Sequence, residues 1–136
     1  MGAQAELQKL LYDTLRASTA IMALAGGVYD RVPADPYKDK TAYISFGPTD
    51  VVDDGADCSV SGTHSFQLDV WSKAVGQVEA KNIVDLIYRA LHEAELTLTA
   101  NALAEIRVDF RRVFTDSDGL TTHGVASVTA SIEEPE

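Results

Sequence analysis

The N-terminal hydrophobic positions predict an amphipathic helix. Leucines recur there at the three- and four-residue spacing that places side chains on one helical face, at Leu7, Leu10, Leu11 and Leu15. The charged residues between them fall largely on the other face. A short apolar run from Ile21 to Ala25 follows and predicts one more helical turn, α or 3₁₀, which ends at Gly26-Gly27.

A second amphipathic helix is predicted between Gln77 and Glu93. Its apolar residues form a single stripe, made of Ala80, Ile83, Val84, Ile87 and Leu91. Charged residues occupy the positions between them. The spacing therefore predicts a helix with one buried face.

Strict alternation of apolar and polar residues predicts three longer strands, at 64–72, 104–114 and 126–132. In the first, Phe66, Leu68 and Val70 face the core, and the other side is solvated apart from Trp71. In the second, the core positions are Ile106, Val108 and Phe110, opposite Arg107, Asp109 and Arg111. Shorter extended segments are predicted at 28–32, 41–46 and 96–98.

The order of these elements is helix, strands, helix, strands, which is typical of an α+β fold. We therefore predict an antiparallel β-sheet packed against two main α-helices. Gly47-Pro48 interrupts the strand at 41–46, so any continuation through Val51-Val52 is bent or at an edge. Residues 48–62 are then an exposed acidic hairpin or loop. No repeat or linker divides the chain, which predicts one domain over residues 1–136.

The charge balance removes several classes of function. The chain carries 21 acidic and 11 basic residues, a formal net charge of −10. Tight nucleic-acid binding and docking on an anionic membrane both need clustered Lys and Arg, so neither is favoured. The single cysteine, Cys58, cannot form an intrachain disulfide. The absence of a secretion signal or a long apolar run predicts a soluble protein made in the cytoplasm.

No motif in the chain predicts catalysis, a cofactor or a metal. The acidic segment lacks the regular spacing of a calcium loop, and two of the three histidines, His64 and His123, lack the spacing of a zinc site. We interpret both histidines as surface or hydrogen-bonded strand residues. Two alternatives stay open: a metal-dependent enzyme using Asp53, Asp54 or a histidine, and a domain that binds a small molecule in an apolar pocket.

Trp71 stands on the otherwise polar side of its strand, which favours a role in contacts between subunits, because Trp is enriched at the centres of protein interfaces. The candidate interface residues are Trp71, Asp69, Arg107, Asp109 and Arg111. The alternative is that Trp71 belongs to a second small cluster beneath a loop.

Four segments, taken in order, resemble the tail completion proteins of long-tailed bacteriophages, a family that includes tail terminators of prophages and gene transfer agents. They are residues 27–33, 43–47, 64–72 and 114–124. The last segment contains the turn of the family motif, represented here by Asp116, Asp118, Gly119 and His123. It departs from the family at Ser117, where Pro is more usual, and near Thr122, where a basic residue is more usual.

The resemblance implies a structural protein without catalytic activity or cofactor. Such a subunit forms a ring, expected to be a hexamer, at the head-proximal end of the tail tube. It stops tube polymerisation and joins the tail to the head connector. The implied partners are further copies of the chain, the tail tube protein and the connector, with DNA passing through. The implied location is the virion or a virion-like particle, after assembly in the bacterial cytoplasm.

This role suggests a function for the acidic segment. We expect the segment, and with it the tail 133–136, to line or flank the central channel, where like charge keeps DNA phosphates off the wall. The candidate channel residues are Asp50, Asp53, Asp54 and Asp57. The alternative is that these carboxylates only keep the free subunit soluble or contact neighbouring rings.

Overall fold

A computed structural model describes residues 2–55 and 60–135. Within those residues the elements are α1 (Ala3–Ala17), α2 (Thr19–Met22), β1 (Ala25–Tyr29), β2 (Ala42–Asp53), β3 (Val60–Ser72), α3 (Val78–Leu91), β4 (Ala102–Thr115) and β5 (Thr122–Glu134). The strands form one sheet in the order β1-β2-β3-β5-β4. The predicted α+β class is confirmed. No helix in the described residues is long and apolar enough to cross a bilayer.

The sheet is mixed, so the predicted all-antiparallel sheet is wrong at one strand. β1 pairs with β2 in parallel, and the other three pairings are antiparallel. Parallel neighbours require a connection long enough to return to the starting end. Residues 30–41 provide it, and Pro33 and Pro36 within them disfavour helix.

The apolar stripes of both predicted helices face the core, with Leu10 of α1 only partly buried. In α1 they contribute Leu7, Leu11 and Leu15, and in α3 all five predicted stripe residues are buried. These side chains form one cluster with alternate residues of the strands. We call that side of the sheet the core face, and it carries Ile44, Leu68, Val70, Ala126 and Val128. The opposite side, the open face, carries Tyr43, Gln67, Trp71, His123 and Ser127.

Two short predictions near turns are wrong. Gly26-Gly27 does not end the preceding turn but lies within β1, where a Cβ on Gly26 would clash with the carbonyl oxygen of Tyr37. Glycine is needed there because two backbone segments approach closely. Residues 96–98 do not form a strand. The backbone N–H of Leu96 instead donates to Ala94, within the irregular segment that leads to β4.

A β-bulge in β4 reverses the predicted alternation after Val108. The register shifts between Val108 and Phe110, so that one extra residue is inserted opposite β5. Phe110, predicted to face the core, is 53% exposed as a result. Arg111 moves to the core face, opposite Ala126. Nothing in the alternating pattern marks the position of the bulge.

β2 and β3 pair far beyond Gly47-Pro48. A register shift between Phe46 and Thr49 accommodates the proline, and pairing then continues to Asp53 opposite Gly62. The predicted interruption is thus a bulge within one long strand. The residues that connect the two strands, 56–59, lie outside the described residues, and they include Asp57 and Cys58.

Candidate interaction surfaces

The acidic residues of β2 and of the C-terminus lie at the same end of the sheet. Asp53 is opposite Gly62 in β3, and the next residues of β3 in that direction, Ser61 and Val60, are opposite Glu133 and Glu134 of β5. The structure thus brings together two segments that are some eighty positions apart in sequence. We call this set the acidic end, and its members are Asp50, Asp53, Asp54, Glu133 and Glu134.

The acidic end is not neutralised within the described residues. No Lys or Arg nitrogen lies within 4.0 Å of any of its five carboxylates there. The polar contacts are local: Thr63 Oγ1 donates to Asp54 at 3.1 Å, and the Gly55 N–H donates to Asp53 at 3.3 Å. The end of the sheet therefore presents concentrated negative charge.

The structure places His64 and His123 in different environments. His64 is only 1% exposed and lies on the core face between Val51 and Ala130, so the prediction of a surface or hydrogen-bonded residue is wrong. Neither ring nitrogen has a hydrogen-bond partner among the described residues. Burial lowers the pKa of His64, and Glu134 and Asp54 oppose that shift, which favours a neutral ring.

The two histidines do not meet, and the described residues contain no group of three or more His, Cys, Asp or Glu side chains able to hold a metal ion. His64 is on the core face opposite Ala130, and His123 is on the open face opposite Trp71. This arrangement brings no support to the metal-dependent alternative.

His123 belongs to a polar and aromatic cluster on the open face. Its Nε2 lies 2.7 Å from Asp69 Oδ1, and its ring stacks on Trp71 with centroids 3.9 Å apart. Trp71 Nε1 donates to Ser45 Oγ at 3.1 Å, and Gln67 Nε2 donates to Asp69 at 2.9 Å. His123 is therefore hydrogen-bonded, as predicted, and Asp69 is buried at 7% exposure.

Aromatic rings extend this cluster across the sheet. One residue from each strand contributes, namely Tyr29, Tyr43, Trp71, His123 and Phe114. Neighbouring centroids are 6.0 Å apart for Tyr29 and Tyr43, 6.5 Å for Tyr43 and Trp71, and 4.9 Å for Phe114 and His123. Burial, followed by the nearby Tyr37 and Asp69, raises the pKa of Tyr43. These rings lie at the end of the sheet opposite the acidic end, and we call this the aromatic end.

The three candidate interface residues of β4, Arg107, Asp109 and Arg111, do not form one row. Arg107 lies on the open side and contacts Glu93 at 2.9 Å and Asp109 at 3.4 Å. Arg111 lies on the core face beyond the bulge, where it contacts Asp85 of α3 at 2.8 Å and stacks over Tyr88 at 4.0 Å. The proposed set of Trp71, Asp69, Arg107, Asp109 and Arg111 is thus divided between both faces and one edge of the sheet.

The turn between β4 and β5 forms as its residues predict. The Gly119 N–H donates to the Asp116 carbonyl at 2.9 Å, and Gly119 has a φ of +73°. Asp118 accepts the N–H groups of Leu120 and Thr121, both at 2.8 Å, and these bonds lower its pKa. The turn fixes the start of β5 and thereby places His123 beside Trp71.

Glu6 is a buried anchor that the sequence pattern does not reveal. It is 9% exposed, and its Oε2 accepts the N–H groups of Thr99 and Ala100 and the hydroxyl of Thr99. Its Oε1 accepts the N–H and the side-chain amide of Asn101. These bonds, led by that from Ala100, lower the pKa of Glu6 to about 2. A glutamate in the first turn of a helix gives no sign of such a contact.

The described residues form a small α+β domain with an acidic end and an aromatic cluster on the open face of its sheet. The family model described as tail completion protein gp17 matches residues 9–133, which is nearly the whole chain. The protein belongs to this family of tail completion proteins.

Solved structures agree with that membership. A chain from the virion of a native gene transfer agent particle is 27% identical and superposes with a TM-score of 0.87, covering 97% of this chain and 98% of that one. A second solved chain, 18% identical, covers 98% of this chain and 95% of its own length with a TM-score of 0.58, which shows a shared fold. No curated protein matches the sequence significantly.

Proposed function

We propose that this protein is a structural subunit that closes the head-proximal end of a tail tube in a virion or virion-like particle. In this role it forms a ring, expected to be a hexamer, stops tube polymerisation and joins the tube to the head connector. The observation that carries the proposal is the family match over residues 9–133, supported by the likeness to a gene transfer agent virion chain across its full length.

The architecture is compatible with a ring. Closed rings are built from heterologous contacts, in which two different surfaces of each copy meet head to tail. The sheet offers two different edge strands, β1 with the neighbouring part of β2 on one side and β4 on the other. Residues 47–53 of β2 include two aspartates and residues 110–115 of β4 include two arginines. These opposite charges favour a contact between the two unlike edges.

The first prediction concerns assembly. The purified protein, examined alone and with tail tube subunits, is expected to form rings at least on the ends of tubes. Light scattering gives the mass of the free protein, and electron microscopy shows whether the added protein caps tube ends and limits their length. A strict monomer in both conditions, with tubes that continue to grow, would contradict the proposed function.

The acidic end is proposed to flank the channel through which DNA passes. Its carboxylates lack neutralising partners within the described residues, so they repel phosphates within about one Debye length, ~8 Å at physiological salt. Negative charge at this position allows DNA to move without being held. Asp57 is part of the same proposal from its place in the sequence, between Asp54 and the start of β3.

The second prediction tests the channel by charge reversal. Rings carrying Asp54→Lys with Glu134→Lys are expected to assemble and to retain DNA, with an affinity that falls at least about tenfold between 50 and 200 mM salt. A matched control, Asp35→Lys with Asp39→Lys, makes the same charge change in the exposed connection before β2. Equal DNA retention by native rings and both variants, measured by filter binding, would exclude the channel role.

A further inference from the structure

At each edge of the sheet, part of a strand has no neighbouring strand. β1 pairs with β2 only as far as Ser45, which leaves the stretch from Thr49 to Asp53 uncovered on that side. At the other side, Glu93 donates to the Ile106 carbonyl and His92 accepts the Val108 N–H. These contacts cover β4 at Ile106 and Val108. The second half, residues 111–115, has no corresponding neighbour in the described chain.

The β2 edge presents a defined set of backbone groups. The Asp54 N–H donates to Ser61, which makes that pair a hydrogen-bonded one. Hydrogen-bonded and non-hydrogen-bonded pairs alternate along an antiparallel ladder. With the observed register, the N–H and C=O groups of alternate residues therefore point away from β3 into the open edge, and these residues are Thr49, Val51 and Asp53.

The β4 edge presents a matching set. The Asp116 N–H donates to Thr121, which fixes the alternation along the second half of β4. By the same rule, the N–H and C=O groups that point away from β5 belong to Arg111, Val113 and Thr115. Each open edge thus offers three residues at every second position, with one donor and one acceptor on each.

We propose that the open edge of β2 in one copy pairs in antiparallel orientation with the open edge of β4 in the next copy, so that the sheet continues from subunit to subunit. This inference rests on the proposed ring and specifies the contact that builds it. The register that aligns both sets places Thr49 beside Thr115, Val51 beside Val113, and Asp53 beside Arg111. In this arrangement each hydrogen-bonded pair joins two residues whose backbone N–H and C=O groups point into the open edges.

Side-chain chemistry supports this register. The register brings together Thr with Thr, Val with Val, and carboxylate with guanidinium, and a Thr–Thr or opposite-charge pair across strands contributes about 0.2–1 kcal/mol. Arg111 keeps its contact with Asp85 and Thr115 its bond from Gln77 within their own subunit, so the neighbouring copy adds a second partner to each. All six side chains lie on the core-face side of their strands. On the open face, Arg112 comes diagonally within reach of Asp50. A shift of one residue would exchange the two faces and leave the backbone groups misaligned.

Charge favours a head-to-tail contact over pairing of like edges. Residues 47–53 contain two aspartates and no basic residue, and residues 110–115 contain two arginines and no acidic residue. Two β2 edges would repel each other, as would two β4 edges. Exposed apolar side chains flank both edges, with Val52 63% and Phe110 53% exposed. Folded proteins rarely leave such strands uncovered without a partner, because open edges promote aggregation.

The pairing has a geometric consequence for the ring. The open part of β2 lies at the acidic end, and the open part of β4 lies at the aromatic end. Neighbouring copies are therefore displaced from each other along the strand direction. Rotation about the ring axis alone produces this displacement when the strands are tilted relative to that axis. Asp50 and Asp53 then belong to the subunit contact, beside Arg112 and Arg111, and Asp54, Glu133 and Glu134 supply charge for the channel.

Disulfide trapping tests the register in the full-length protein. Val51→Cys with Val113→Cys, in a Cys58→Ser background, is expected to give a ladder of covalent oligomers on non-reducing gels after mild oxidation of rings. Directly opposed residues fall within the Cα separation of 4.4–6.8 Å that a disulfide needs. The matched control, Val52→Cys with Val113→Cys, places the thiols on opposite faces and is expected to give no ladder.

A proline variant tests the backbone contact separately. Val51→Pro removes an N–H group that points into the open edge and leaves the bonds to β3 intact, so the variant is expected to fold. The fraction of protein found in rings is expected to fall at least tenfold. The control Val51→Thr keeps the N–H group and is expected to assemble normally. Should Val51→Pro fail to fold, the trapping result decides alone. Native rings without the specific ladder, or rings from folded Val51→Pro, would overturn the edge pairing only. Absence of rings from native protein on tube ends would overturn the proposed function as well.

Discussion

Replacing Glu6 by glutamine is expected to destabilise the fold at neutral pH more than any substitution of an exposed carboxylate. Five donors converge on the two oxygens of Glu6, three on Oε2 and two on Oε1. A glutamine side chain turns an NH₂ group toward at least two of them in either orientation. Donors then oppose donors in a site that is nine-tenths buried, and the link between α1 and the segment before β4 is lost.

The pH dependence separates this contact from simple packing. The folded-state pKa of Glu6 is about 2, below the ordinary value of 4.5, so the carboxylate stabilises the fold fully above pH 4.5. That contribution is lost as the pH falls from 4.5 towards 2, where Glu6 becomes protonated in the folded state too. The stability difference between native protein and Glu6→Gln is therefore expected to shrink over this interval.

Urea unfolding at pH 7 and at pH 3, followed by circular dichroism, measures this difference. Glu95→Gln is the matched control, because Glu95 is exposed in the same connecting segment and makes no hydrogen bond within the described chain. A Glu6→Gln protein as stable as native at pH 7, or a difference independent of pH, would show that the carboxylate is not what holds the segment.

The elements that follow simple periodicity could be predicted from the sequence, and the exceptions have local causes. The stripes of α1 and α3 follow from side-chain spacing alone, because each helix buries one face. The bulge after Val108 depends on pairing with β5, so no local pattern indicates that Phe110 is exposed. The parallel direction of β1 likewise depends on the path of residues 30–41, which the pattern leaves undetermined.

The candidate surfaces could also be predicted only in part. The negative charge of residues 50–54 and of the tail is visible in sequence, but their convergence requires the register of β2, β3 and β5. The division of Arg107 from Arg111 requires the bulge. The open edges cannot be predicted at all, since they are defined by which backbone groups lack neighbours after the sheet has formed. Glu6 also becomes recognisable only when residues 99–101 are placed around it.

Truncation of Trp71 is expected to lower the free energy of unfolding by about 2–4 kcal/mol. The indole stacks on His123 with centroids 3.9 Å apart, and its N–H donates to Ser45. Trp71→Ala removes both contacts and uncovers the pair of His123 and Asp69 on the open face. Because Trp71 is the only tryptophan, the variant is followed by circular dichroism in urea, and the native protein by fluorescence as well.

Trp71→Phe distinguishes a role within the sheet from a role between subunits. Phenylalanine retains a ring against His123 but leaves Ser45 without its donor, so a smaller loss of about 0.5–1.5 kcal/mol is expected, with ring assembly unchanged. Such a result places the energetic contribution of Trp71 in the cluster on its own open face. A Trp71→Ala protein as stable as native that fails to assemble would contradict this expectation and make Trp71 a direct contact between subunits. The edge strands would then share the interface with the open face, because the two surfaces adjoin along β4.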